Sequence, residues 1–351
     1  MRASSVVGWS LCCLAAAACT SSDREPGAAV VRVDTVAALE LFEPVAVEVA
    51  TDKSVFILDR GNSELYRVHE NGAVDTLARK GSGPGELLGP TSFSLLGDSA
   101  IAVADEGNAR IQTIPRRSSA VRTVPYSEGA HTGVFEDRGG LFYAAAYGQN
   151  FALENGQPVV KQKSLITVVS TRDGAIRNRF GTPRPYPGKV LPIFGNLVRV
   201  ARDPRSGDIW IAWPLDPVME RFDPSGRRVG VLERALPFQP PLPREEQTAL
   251  SPLPVADFQQ VTFDLKVDSS GRLYVLTAAA AKDQSLQSKD YRTPRQAVEI
   301  FSAQGALACR LPLPFTATSL ALAGKDELLF ADLKEAGAIY RVRYRCPGLT
   351  G

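Results

Sequence analysis

The sequence predicts an all-β, six-bladed β-propeller of four-stranded antiparallel blades, with an N-terminal strand completing the last blade. Three observations carry this. An apolar strand, a tight turn of Asp, Gly or Ser and a second apolar strand recur six times. The second strands start at Val55, Ile101, Leu141, Ile209, Leu273 and Leu328, separated by 46, 40, 68, 64 and 55 residues. Strand patterning at a period of 40–50 residues is the mark of propeller blades, and the larger gaps are insertions in loops. The units then continue into a third and a fourth strand. Leu65-Tyr66-Arg67-Val68 turns through Glu70-Asn71-Gly72 into Val74-Asp75-Thr76-Leu77. The same hairpin recurs through Pro224-Ser225-Gly226 and Ala303-Gln304-Gly305, with Gly supplying the positive φ of a tight turn. Finally, the last unit has only three strands, while an unmatched strand at 30–36 precedes the first. Pairing the two closes the ring and removes an exposed sheet edge.

Composition agrees. With 44% hydrophobic residues, 22% charged residues and a net charge of +2, the chain is not a disordered one. The 29 Gly and 25 Pro fit a fold rich in turns. Lys+Arg 40 against Asp+Glu 38 leaves no phosphate-tracking surface, so no nucleic-acid partner is expected.

Ahead of the ring, Arg2 and an apolar run at 6–18 read as a signal peptide, too short to span a bilayer. Residues 1–18 are the signal, 19–29 a flexible tether, 30–346 the propeller and 347–351 a C-terminal tail. Ala16-Ala17-Ala18 directly before Cys19 resembles the bacterial lipobox, which implies a lipid on Cys19 and an anchored protein outside the inner membrane. Ala16 departs from that pattern, where a branched residue is usual. Cleavage at the same alanines by ordinary signal peptidase, giving a soluble exported protein, is the alternative. In the lipobox reading the N-terminal lipid is the only membrane contact. Cys309 and Cys346 remain in the folded part. In an oxidising compartment they form either a disulfide or two buried thiols.

Gly81-Ser82-Gly83-Pro84-Gly85-Glu86-Leu87, Pro90, and Ile101-Ala102-Val103-Ala104-Asp105-Glu106-Gly107-Asn108-Ala109-Arg110-Ile111-Gln112 resemble an NHL repeat. Asp59-Arg60-Gly61-Asn62 is a weaker copy. The resemblance implies an NHL-like propeller of the exported bacterial kind, among which binding proteins are common and enzymes occur.

The candidate chemistry is sparse. Pro84 lies within the glycine cluster and strands follow it, so a blade connection fits better than a nucleotide loop. Asp59, Asp105 and Asp332 end second strands, where an Asp caps the next turn; Asp105 with Asn108 and Arg110 forms a local polar staple. His69 and His131 are the two histidines, too few for the three-His zinc site of NHL-like amidating lyases. His69 precedes a hairpin turn and is poorly placed for a shared site, whereas His131 lies near the predicted channel mouth. Resemblance to gluconolactonase/regucalcin-like propellers, which hold a channel calcium, singles out Glu43, Asn196 and Asp264. Thr132-Gly133 stand where that pattern has a fourth set of donors. No cofactor is expected.

Loop lengths are asymmetric. Turns after first and third strands are short, whereas the stretches 79–90, 146–163, 181–196, 235–262 and 277–295 are long. Strand alternation puts all the long ones on one face of the ring. Long loops in a compact fold are usually functional. Tyr147, Arg184, Tyr186, Phe194, Tyr291 and Arg292 are the candidate ligand-binding residues there, aromatic and Arg side chains being the usual anchors of interfaces. The expected function is a lipid-anchored, non-enzymatic module that binds a protein, peptide or glycan through this face. The alternative is a small hydrolase or lyase with its site at the channel mouth, calcium-dependent if the regucalcin-like residues gather.

Overall fold

Every residue of the second strands Val55–Asp59 and Leu273–Ala278 is buried. A strand sends successive side chains to opposite faces, so both faces must be covered. That is why these strands read as nearly continuous apolar runs. The computed structural model describes residues 28–36, 39–117, 120–128, 133–136, 139–145, 151–154, 157–160, 163–246, 253–281, 295–332 and 337–349. It arranges them as six four-stranded antiparallel blades about a central channel.

Blade one is Pro44–Val49, Val55–Asp59, Glu64–Val68 and Val74–Lys80; blade two is Pro90–Leu96, Ala100–Asp105, Arg110–Pro115 and Arg122–Pro125. Blade three is Val134–Glu136, Leu141–Ala145, Ile166–Ser170 and Ile176–Phe180; blade four is Arg199–Arg202, Ile209–Ala212, Val218–Phe222 and Arg228–Glu233. Blade five is Thr262–Val267, Leu273–Ala278, Gln296–Phe301 and Leu307–Pro312. Blade six is Ser319–Gly324, Glu327–Ala331 and Ile339–Arg345, completed by the N-terminal strand Ala29–Thr35. Its register pairs Val30 with Tyr344 and Val33 with Val342.

The core is correspondingly divided, with one apolar cluster between each pair of neighbouring blades. Val55 and Ile57 pack on Leu329 and Ala331 of blade six, whereas Phe56 and Leu58 pack on Ile101 and Val103 of blade two. Each such side chain contributes roughly 1.5–3 kcal/mol by leaving water. Cys309, in the outer strand of blade five, is bridged to Cys346 after the last strand, with Cα atoms 6.1 Å apart. Both join the cluster between blades five and six. Pro347–Leu349 then forms a 3-10 turn with Leu349 buried, so the expected tail begins as packed structure.

Asp105 is wholly buried and accepts bonds from Leu88 N (2.7 Å), Asn108 Nδ2 (2.9 Å), Arg110 Nε (2.7 Å) and Gln112 Nε2 (2.9 Å). Arg110 extends the staple to the carbonyls of Ser82, Gly83 and Glu86. The glycine cluster is therefore a clamped connection between blades one and two. Asp59 repeats the device in blade one, accepting from the backbone of Phe42, Glu43 and Asn62 and from the Asn62 amide.

The long connections carry structure of their own. A short helix, Leu191–Phe194, lies between blades three and four, and the hairpin Arg244–Glu246 with Val255–Asp257 lies between blades four and five. A second hairpin, Phe151–Glu154 with Gln157–Val160, is inserted in blade three. Glu245 binds the first two insertions together by accepting from the backbone N–H of Lys189, Val190 and Leu191 at 2.8, 2.7 and 2.7 Å.

Candidate active site

The first strand of each blade runs along the channel, starting at the face that carries the insertions. Register aligns the six. Ala46, Ser92, Val134, Arg199, Asp264 and Ser319 pair with the same position of their second strands, the fourth residue counted from Val55, Ile101, Leu141, Ile209, Leu273 and Leu328. They form an upper tier. Two residues on, roughly 7 Å further along the strands, Glu48, Ser94, Glu136, Ala201 and Lys266 form a lower tier. Both tiers line a channel of about 650 Å³, which is the size of a small-molecule site.

The charges in this channel come from different blades. Lys266 of blade five donates to Glu48 of blade one at 2.7 Å, so this ion pair reaches past blade six. Burial opposes the charge on Lys266, but the carboxylates of Glu48 and Asp264 outweigh it and raise its pKa, keeping the ammonium protonated. Glu136 pairs with Arg122 at 3.3 Å. Asp264 accepts from Ser319 Oγ (3.0 Å) and Leu320 N (2.9 Å) on one oxygen and from Leu265 N (2.8 Å) on the other. Arg199 donates through Nε to Phe263 O (2.6 Å) and through Nη1 to Leu197 O (2.9 Å). Burial lowers the Arg199 pKa, and the nearby Asp264 carboxylate partly restores it. Ser94 Oγ is buried in the lower tier with no hydrogen-bond partner among the described residues.

The proposed calcium ligands do not gather. Asn196 is completely buried and its amide is saturated. Its Oδ1 accepts from Arg184 N (2.7 Å) and Trp213 Nε1 (3.1 Å), and its Nδ2 donates to Arg184 O (2.9 Å) and Pro192 O (2.8 Å). It is a clasp for the loop between blades three and four. Glu43 is held by Arg60, with one bond at 2.9 Å. Asp264 does face the channel, but beside Arg199 and Lys266. Among the described residues no group of three His, Cys, Asp or Glu is placed to hold a metal. A hard cation needs several oxygen donors together, so this set does not fit calcium.

The expected binding anchors are also redistributed. Arg184 pairs with Asp216 and stacks on Trp213, 4.0 Å from the ring centre, and Tyr186 lies against Gly195 with its hydroxyl buried. Both pack the insertion rather than project from it. Phe194 is 42% exposed and leans on Phe258. Cys19, His131, Tyr147, Tyr291 and Arg292 lie outside the described residues. His69 pairs with Asp75 (2.7 Å) beside a third-to-fourth-strand hairpin, on the face away from the insertions.

The sequence reading missed Arg199, Lys266, Glu48 and Ser319. Their one signal was a charged or polar residue within an otherwise apolar first strand, as in Val45-Ala46-Val47-Glu48-Val49 and Phe263-Asp264-Leu265-Lys266-Val267.

No family model and no curated protein matches the chain. Solved structures do. A member of the DUF4221 family from Bacteroides vulgatus is similar with a TM-score of 0.59 at 10% identity, over 89% of this chain and 98% of that one. Virginiamycin B lyase from Staphylococcus aureus matches with a TM-score of 0.51 at 10% identity, over 90% of this chain and 89% of the lyase. A putative gluconolactonase matches with a TM-score of 0.51 at 11% identity, over 90% of this chain and 92% of that one. Identities this low show the fold, a six-bladed propeller. The expectation of a non-enzymatic module is corrected here, since the same ring over nine-tenths of this chain is the scaffold of a lyase and of a putative gluconolactonase. The physical reason for the error is that a propeller assembles its site from single residues on different blades, so a chain without a local catalytic motif is not thereby excluded from catalysis.

Proposed function

We propose that this protein is an enzyme of the hydrolase or lyase class acting on a small molecule within the central channel. The observation that carries the reading is Asp264, a carboxylate in the upper tier beside a guanidinium and a serine hydroxyl in a channel of about 650 Å³. Hydrolysis and elimination share one requirement, a positioned base that removes a proton from water or from carbon. Asp264 supplies it from a rigid strand, and its three hydrogen-bond donors fix the carboxylate's orientation. No metal step is invoked. The insertion face, where the first strands begin, is the side by which the substrate enters.

The likeness of the ring to a lyase and to a putative gluconolactonase supports this class. A histidine-to-alanine variant of the lyase is described as catalytically inactive. In the present chain His69 lies on the other face, and Asp264 is the described channel carboxylate positioned to take the proton. The test is a turnover screen of small lactones, esters and β-elimination substrates with the mature protein, beside Asp264→Asn. Activity abolished in Asp264→Asn with an unchanged melting temperature supports the assignment. Full activity in that variant, or no turnover across the screen, removes it.

The NHL-type repeat in blade two and the Cys19 lipobox support export and anchoring of this enzyme outside the inner membrane. No described helix is long and apolar enough to cross a membrane. Cys19→Ala is expected to move the protein from the membrane fraction to the soluble fraction, and unchanged partition sinks the anchor.

A further inference from the structure

Of the four cations lining the channel among the described residues, two are spent on carboxylates. Arg60 is paired with Glu43, and Lys266 with Glu48. Arg202 ends its strand about three residues, or ~10 Å, below the upper tier, beside the turn at Gly207. That leaves Arg199 in the tier of Asp264. Its partners are two backbone carbonyls, and among the described residues it has no ion pair. A guanidinium has five N–H donors. Two are used, so three remain, including both on Nη2.

Bonds through Nε and Nη1 to the carbonyls of Phe263 and Leu197 hold the plane of the group fixed. Arg199 is part-buried, and its one carboxylate neighbour, Asp264, makes no direct ion pair with it because its oxygens accept from Ser319, Leu320 and Leu265. A partly desolvated cation so incompletely compensated favours an anion that enters. A fixed planar fork with donors to spare matches a carboxylate in two-point contact. Asp264, on the neighbouring blade in the same tier, repels a second negative charge. It therefore turns the uncharged, reacting part of the same molecule toward itself and Ser319.

We infer that the channel takes a small carboxylate-bearing substrate, whose carboxylate is held by Arg199 while its reacting centre faces Asp264. This rests on the enzymatic reading above for the word substrate, but the binding claim stands or falls separately. The experiment uses the mature, disulfide-intact protein at constant ionic strength. Lactate, malonate, succinate and gluconate are compared with lactamide, malonamide, succinamide and gluconamide by calorimetry and thermal shift.

At least one carboxylate should bind saturably at one site and its amide should not. Arg199→Gln should raise that Kd at least ten-fold, and Arg202→Gln should leave it within two-fold. If Arg199→Gln fails to fold, Arg199→Lys, which keeps the charge and loses the fork, should weaken binding in the same direction. The inference is overturned if no carboxylate binds, if amides bind equally, or if binding survives loss of the Arg199 fork. Arg199-dependent carboxylate binding without turnover in the substrate screen keeps the site and removes the enzyme. Turnover of neutral substrates without carboxylate binding does the reverse.

Discussion

Loss of Arg234 should destabilise the ring by breaking a buried ion pair between two blades. Arg234 leaves the last strand of blade four with a side chain that has no solvent exposure, and meets Glu299 of blade five, which is 1% exposed, at 2.9 Å. The same guanidinium donates to Thr277 Oγ1 (2.9 Å), to Thr262 Oγ1 and to Pro217 O (3.1 Å). Arg234→Met keeps most of the volume and removes every one of these bonds. Breaking one side of a buried ion pair typically costs ~3–5 kcal/mol, because the partner charge is left unpaired. Here Glu299 retains Arg310, which donates from Nε at 3.2 Å and Nη2 at 2.8 Å. The cost should therefore fall in the lower half of that range, about 3 kcal/mol. The assay is urea denaturation of the disulfide-intact protein, with stability read from the midpoint at unchanged slope. Arg310→Met, which leaves Glu299 its fully buried partner, should cost less than Arg234→Met. A loss below ~1 kcal/mol for Arg234→Met, or the reverse order of the two variants, refutes the argument that this pair welds blade four to blade five.

Three further outcomes follow from the geometry. Cys309→Ser with Cys346→Ser opens a loop closed over a separation of 37 residues, and the chain-entropy model gives a loss of up to ~4 kcal/mol, measured as a urea midpoint against the oxidised parent. Asp105→Ala strands the donors of Leu88, Asn108, Arg110 and Gln112; a loss of roughly 2–4 kcal/mol is expected from the orphaned buried groups, measured as a urea midpoint. Burial raises the Glu245 pKa, but the backbone N–H groups of Lys189, Leu191 and Val190 outweigh it and hold the net value below the usual 4.5; a depressed carboxylate stabilises above its unfolded pKa and ceases to as pH falls through the folded one, so the insertion layer should loosen below pH 4.5, read as faster intrinsic-corrected amide exchange at 189–191, and Glu245→Gln should reproduce this at neutral pH.

The fold was legible because two-sided burial leaves a strong imprint. A blade strand covered on both faces must be apolar at every position, as Val55–Asp59 and Leu273–Ala278 are nearly throughout. Its hairpins must put Gly where φ is positive, as at Gly72, Gly226 and Gly305. These requirements recur with the blades and show as a repeat. The site has no such imprint. Asp264 could be singled out by analogy with a calcium-binding propeller, but its partners Arg199 and Ser319 stand 65 and 55 residues away in sequence. They are neighbours only once register is known, and register depends on bulges such as that between Thr262 and Asp264. Asn196 misled for a related reason: a buried amide that clasps a loop and an amide that holds a metal look alike in a sequence. So do Arg184 stacked on Trp213 and an Arg offered to a partner.

This separation has a physical consequence for where chemistry can reside in the ring. Second and third strands are committed to the interfaces between blades, and a charge there must be paired within the wall, as Glu299 is with Arg234. First strands have one edge on the channel, so a charged side chain can reach water without crossing an interface. Glu48 and Lys266 each keep a quarter of the side chain exposed while their neighbours Val47 and Leu265 are wholly buried. Such positions can change identity with little effect on the blades. The upper tier illustrates this, holding Ala, Ser, Val, Arg, Asp and Ser at six equivalent places of one fold. A ring built this way conserves its scaffold energy in the interfaces and leaves its specificity to six side chains at one height in the channel. On the proposed reading, those six are where the chemistry of this protein is to be sought.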